Sequence, residues 1–454
     1  MAKKILAVLF AFSMFIMPLG GCSSSDDKTP QEPSQETKVN DASDNADDSG
    51  EKIKFVFAEH IADVENQAPQ VWGVVQAYMK EHPNVEIEIQ GTDINEHINK
   101  MKMAAQSDSL PDLFYIKTGV AREMIEAGQI ADITDDIMAD QSFAEGFLDG
   151  MTDVLEVDGR IYGLPCEVQA NGIWYNKKLF EQCGLEIPET YEELLNVCKV
   201  FRENGIIPMA RGAKDTYSVW ALTNMFCRFG FFDHIDAVLA GEEKWNNPDY
   251  LKFYEKLREM TELGMWPDNV SSIGYWEATE LFMGEQAAML DSGVWDTKKF
   301  DSSELKEYIY FDWGPVFDDG VGTQEISMKA ASFPYCVSAK LKEEDPQKYA
   351  VVIDFLKFYY GSSGTKIIVE DNQCVPVTKY QGTVDSAAYP VFARVMEKMN
   401  DNWQSPVLAP NFYIPGDLEA SYHDSITGVI NGVYTPEEAC DFMDNQMQAI
   451  GLFD

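Results

Sequence analysis

Ile53-Lys54-Phe55-Val56-Phe57 is followed by a helical stretch over 68–80, then by Val85-Glu86-Ile87-Glu88-Ile89. A second helical stretch over 94–106 leads through Pro111-Asp112 into the apolar run Leu113-Phe114-Tyr115-Ile116. The period-two alternation after position 85 marks a half-buried strand, and the longer stretches carry helical periodicity. Strands alternating with helices of this length predict an α/β chain with parallel sheets. The same grammar returns downstream. Thr190-Tyr191-Glu192-Glu193 is a capping box, in which the Thr hydroxyl and the Glu carboxylate satisfy free N–H groups. Leu194, Leu195, Cys198 and Phe201 form the apolar face behind it, and Gly205 sits at the stop. Asp345-Pro346 opens a helix that runs to Tyr360 before Gly361, and Thr435-Pro436-Glu437-Glu438 repeats the capping box. No period of 20–50 residues is present, which excludes a solenoid.

The chain has 454 residues, enough to bury more than one core. Acids outnumber bases 76 to 35, a formal net charge of −41, which repels nucleic-acid backbones and anionic headgroups. No nucleic-acid partner is expected. With 26 Phe, 20 Tyr and 9 Trp the chain is far richer in aromatics than a disordered acidic protein.

Lys3 and Lys4 precede an apolar run over 5–17, too short to span a bilayer and in the pattern of a secretory signal. Leu19-Gly20-Gly21-Cys22 resembles the bacterial lipobox, so residues 1–21 are expected to be a lipoprotein signal peptide, with Cys22 carrying the lipid. Residues 22–50 follow as an acidic tether. Positions 23–50 hold eight acids and two lysines, too polar to offset the entropy of ordering. Seven cysteines remain, at 166, 183, 198, 227, 336, 374 and 440, an odd number without C-x-x-C. They read as buried thiols rather than a disulfide framework or a zinc ribbon, with one or two bridges left open.

Catalytic signatures are absent: no G-x-S-x-G, Walker A, H-E-x-x-H or G-x-G-x-x-G occurs. The five histidines have no metal-ligand spacing, and His97 falls on a polar helical face, expected to be solvated. No cofactor is expected. Paired carboxylates, as used by glycosidases, stay open among so many acids.

One region carries a resemblance. Asp158-Gly159-Arg160-Ile161-Tyr162-Gly163-Leu164-Pro165, then Glu167 to Phe180 (EVQANGIWYNKKLF), then Thr190-Tyr191-Glu192, closely resembles the signature of the family 1 extracellular solute-binding proteins. These are the sugar-capturing subunits of ABC importers, distantly similar to the maltose-binding protein. Pro111-Asp112-Leu113-Phe114 resembles the family's "PD" strand. Gly284-Glu285-Gln286-Ala287-Ala288-Met289 with Gly293-Val294-Trp295 resembles its "G-x-A-A-M…G-x-W". The resemblance implies a type II periplasmic-binding fold, two α/β lobes joined by a hinge in the manner of a Venus flytrap. Lobe 1 is expected over 51–167 and 316–374, and lobe 2 over 168–315 and 375–454. Crossings are expected near 167–170, 315 and 374. The implied partners are a carbohydrate, the importer's permease subunits and the membrane through the lipid anchor, with the protein a monomer on the extracytoplasmic face.

Trp295 leads the candidates for the cleft, because in the relatives this Trp stacks on a sugar ring. Asp296 beside it is either a hydroxyl acceptor or a solvated helix start. Glu59 and His60 follow the first strand and Asp93 the second, each with helix capping as the competing reading. Tyr115 and Lys117 end the "PD" strand, and alternation does not say which reaches the cleft. Glu167 and Gln169 lie at the first crossing, as hinge bonds or ligand contacts. Trp220 is either a contact or core. Trp276, Phe333, Tyr335, Phe412, Tyr413 and Tyr422 complete the aromatic candidates. Many relatives have Gly-Gly where this chain has Ala330-Ala331, so their ligand size does not transfer. Two competing functions are a surface-anchored glycan hydrolase and the same fold holding a peptide, polyamine or glycerol phosphate.

Overall fold

The computed structural model describes residues 52–406 and 409–452. The expected signal peptide, Cys22 and the tether lie outside the described residues. Among the described residues no helix is long and apolar enough to cross a membrane.

Two mixed sheets organise the chain. The first has the spatial order Val85–Gly91, Ile53–Glu59, Leu113–Tyr115, Pro334–Val337, Leu164–Pro165. Its first three strands pair in parallel, with Phe55 beside Ile87 and Phe57 beside Leu113. Pro334–Val337 enters antiparallel, Tyr335 opposite Tyr115. The second sheet runs Ile309–Asp312, Val168–Asn176, Ala287–Gly293, Ile207–Ala210, and only its last pair is parallel. The expectation of parallel sheets therefore holds for the strand–helix–strand units alone. Strands that arrive from the other sheet need no helical crossover and pair antiparallel.

The local signals are realised. Thr190 and Thr435 each close a complete capping box, and the helix Pro346–Tyr360 starts on the Asp345 carboxylate and stops at Gly361. All seven cysteines among the described residues are free, and Cys198 and Cys336 are buried. One apolar cluster lies around Phe55, Phe57, Phe355 and Tyr359, and another around Phe226, Phe253, Tyr254 and Met443. Two aromatic candidates are sealed in these cores. Tyr335 meets Phe57 edge-on at 5.0 Å, and Tyr422 meets Trp245 at 5.6 Å.

The chain leaves the first sheet for the second at residues 166–167. It does not return near 315. Val316 bridges Thr190, Val321 bridges Phe229, and Phe317 packs among the second sheet's helices. The return comes at 329–334, where Lys329–Ala331 pairs antiparallel with Val168–Ala170 before the chain joins the first sheet. The last passage also falls later than 374. Thr378 still bridges Phe147 beside the first sheet, whereas the backbone N–H groups of Val391 and Phe392 are held by Asp301 beside the second.

Candidate functional site

The sequence-predicted residues gather in two groups, one at the end of each sheet's central strands. In the second group, the strand Ala287–Gly293 runs into a short turn, Val294–Asp296, that projects Trp295. The indole is half-buried and lies over Gly293, where any Cβ would overlap the ring. That overlap is the physical reason for glycine two residues before this tryptophan. Trp295 Nε1–H donates to the Tyr275 hydroxyl at 2.8 Å, and that hydroxyl donates to Asp296 Oδ2 at 2.6 Å. The Ser292 hydroxyl donates to the same oxygen at 2.5 Å. Burial pushes the Asp296 carboxyl up, and the donors from Ser292 and Tyr275 oppose this. Asp296 is thus buried rather than a solvated helix start, and its Oδ2 anchors a relay that fixes the indole edge. Trp220 closes the group, edge-on to Trp295 at 5.2 Å and to Tyr275 at 5.8 Å.

Behind this platform lies a buried ion pair, Arg211 with Asp291. The Tyr217 hydroxyl donates to Asp291 Oδ1 at 3.0 Å, and the Tyr217 ring packs on Trp220 at 4.8 Å. Burial pulls the Arg211 guanidinium down to about 10. A partly open pocket of about 50 Å³ adjoins this pair, lined by Arg228, Met260, Trp266 and Trp313 among others. It has room for no more than a few waters.

In the first group, Glu59 ends its strand with a carboxylate only 1 % exposed. That carboxylate contacts the His60 ring nitrogen and accepts no hydrogen bond from any other described residue. The His60 ring stacks on Tyr115 at 3.6 Å. Alternation left Tyr115 and Lys117 undecided; the structure puts Tyr115 in this group and ties Lys117 to Glu419. Glu167 is half-buried beside Cys166. Burial pushes its carboxyl up to about 7, with His60 opposing and Glu59 reinforcing the shift.

His97 corrects an expectation. It is buried rather than solvated, with Nε2 at 2.7 Å from the Tyr115 carbonyl, and burial lowers its pKa. Asp93 and Gln169 join neither group. Asp93 is exposed at the start of the helix Ile94–Gln106 and makes no capping bond, while Gln169 is half-buried opposite Ala330. Ala330 and Ala331 are buried in the return strand, and Phe333 beyond them stacks on Phe412 at 4.0 Å. Tyr413 packs on Phe232 at 5.6 Å. Tyr275 and Tyr217 were missed from the sequence, because each stands at a helix start with no motif around it. Ser292 falls between the two recognised pieces, 284–289 and 293–295, so neither pointed to it.

A family model described as bacterial extracellular solute-binding protein matches residues 62–366. An ABC transporter extracellular-binding protein of Pyrococcus horikoshii is 27 % identical over 234 residues, covering 50 % of this chain and 54 % of that protein. The multiple sugar-binding protein of Streptococcus mutans is 21 % identical over 314 residues, 65 % of this chain and 71 % of its own length. The chain spans between half and two thirds of the length of the first curated relatives it matches. Among solved structures, a chitin oligosaccharide binding protein superposes with a TM-score of 0.77 at 22 % identity, over 88 % of this chain and 99 % of that one. Likeness at that identity speaks for the fold, which is the two-lobe type II periplasmic-binding fold.

Proposed function

The chain belongs to the bacterial extracellular solute-binding proteins, and from that premise we propose that it captures a sugar or oligosaccharide between its lobes and delivers it unaltered to an ABC permease. The observation that carries this reading is the Trp295 platform. Its one indole donor is already bonded to Tyr275, so the ring offers an apolar plane and asks for no further partner. A sugar presents one face of C–H groups to such a plane and turns its hydroxyls outward. The Glu59 carboxylate, buried with His60 as its one polar partner among the described residues, is an acceptor for hydroxyl hydrogens. A ligand touching both groups binds the closed arrangement better than the open one and shifts the population towards it. The sugar-binding names of similar proteins support the same ligand class.

The lipid attachment rests on the sequence, and the lobe boundaries rest on the strand pairings. Cys22 is the proposed lipid attachment, holding a monomer on the extracytoplasmic face of the membrane. The lobes are proposed to exchange the chain at 166–167, 329–334 and between 380 and 390.

Thermal unfolding against a panel of mono- and oligosaccharides, followed by product analysis, tests the proposal. At a 100-fold excess over Kd, a true ligand adds about 2.7 kcal/mol of stability and is recovered intact. A flat melting curve across the panel sinks the sugar reading, and cleavage products would turn it towards a hydrolase.

A further inference from the structure

Trp276 is 55 % exposed. A single exposed apolar side chain is ordinary, but this one continues the platform described above. Its ring meets Tyr275 at 4.8 Å, nearly edge-on. Tyr275 meets Trp220, and Trp220 meets Trp295. A row of four rings thus leads from Trp295 to solvent.

The backbone at the outer end of the row is pinned. Trp276 stands in the first turn of the helix Tyr275–Met283. The Gly274 amide donates to Glu277 Oε2 at 2.5 Å, and the Tyr275 amide donates to Asp215 Oδ2 at 3.3 Å. Both bonds fix the backbone that carries the indole. A rigid, amphipathic aromatic in that position offers contact area at little cost in conformational entropy. Of the four rings only Trp276 is exposed, while Trp295, Trp220 and Tyr275 are each half-buried.

We propose that Trp276 is an outer subsite for a later ring of a neutral oligosaccharide whose inner ring stacks on Trp295. The protein then selects by chain length as well as by sugar identity. This rests on the sugar-binding reading.

The test is calorimetry of the wild-type chain, Trp276→Ala and Trp276→Phe against malto-, xylo- and N-acetylchito-oligosaccharides of one to six rings. For the series that binds, wild-type affinity is expected to rise with length. Trp276→Ala should lose roughly five- to tenfold for the longer members and less than about twofold for the monosaccharide. Trp276→Phe should recover part of the loss, and the melting temperature of both variants should match wild type, since the ring is exposed. An equal loss at every length, or none, overturns the subsite while the sugar reading stands. If no member of any series binds the wild-type chain, the sugar reading falls and the subsite with it.

Discussion

The two candidate groups differ in how their polar atoms are partnered. Around Trp295 a continuous chain of polar contacts backs the ring: indole to Tyr275, Tyr275 and Ser292 to Asp296, Tyr217 to Asp291, and Asp291 to Arg211. Around Glu59 the polar atoms are short of partners, with one imidazole beside a buried carboxylate and a second carboxyl, Glu167, within electrostatic reach. The first arrangement spends its hydrogen bonds on holding an apolar plane still. The second leaves a buried carboxylate with one imidazole beside it. Under the proposed function, preorganised stacking and unfilled hydrogen bonding serve one ligand class from opposite sheets.

The sharpest way to break the contrast is to remove the support behind Trp295. Asp291→Asn leaves Arg211 buried without its counter-ion and should cost about 3–5 kcal/mol of stability, measured by chemical denaturation. A loss below about 1 kcal/mol would mean that the platform stands without the ion pair. Next comes the ring itself. Trp295→Ala should weaken ligand binding by more than about 1 kcal/mol in calorimetry, with little change in melting temperature because the indole is only half-buried. Unchanged affinity with intact folding would remove Trp295 from the site.

Glu59→Gln should behave in the opposite sense to Asp291→Asn. Affinity is expected to fall by about 1–3 kcal/mol, while the melting temperature holds or rises, because a buried carboxylate with a single contact is costly to the fold. A drop in melting temperature would show Glu59 to be a structural anchor instead.

Glu167 sharpens the comparison through pH. Its folded-state pKa near 7 stands above the ordinary 4.5, so the folded chain keeps a proton that the unfolded chain releases between those values. The contribution of this group is therefore complete below about pH 4.5 and is lost as pH rises through 7. His97 works against it. Its folded pKa is depressed, so its contribution is present above its unfolded value of 6.5 and lost as pH falls. Melting curves of the wild-type chain and Glu167→Gln should diverge between pH 5 and 8, with wild type losing ground as pH rises. Parallel curves would place Glu167 in water.

The smallest effect belongs to Lys117 and Glu419. Lys117 follows a strand of the first sheet, and Glu419 starts a helix packed with the second sheet's elements. Lys117→Met should cost less than about 1 kcal/mol of stability, fading with added salt, and the exchange Lys117→Glu with Glu419→Lys should restore it. A salt-independent loss would rule out an ion-pair role.

Much of this molecule was legible along the chain because its causes are local. A capping box needs only four consecutive residues, so Thr190 and Thr435 were readable with their partners. Alternation at 85–89 and the Asp345-Pro346 start needed no knowledge of distant segments. Gly293 and Trp295 are two residues apart, and the reason for the glycine is the ring beside it. The family resemblance extended that reach to the two-lobe fold.

What remained depended on distant pairings. His97 was read onto a polar face, yet it lies on the buried stripe with Ile98, Met101 and Ala105, where its ring meets the Tyr115 carbonyl of the next strand. Tyr275 orients Trp295 across 20 residues, and Arg211 meets Asp291 across 80. The expected crossings near 315 and 374 moved because Val316, Val321 and Thr378 found bridge partners more than 90 residues away. Periodicity and capping express free energies set within one or two turns of chain, so the sequence alone determined the elements and their ends. Burial, ion pairing and the order of strands are set by which surfaces meet after the chain has folded back on itself, and only the tertiary structure decided those.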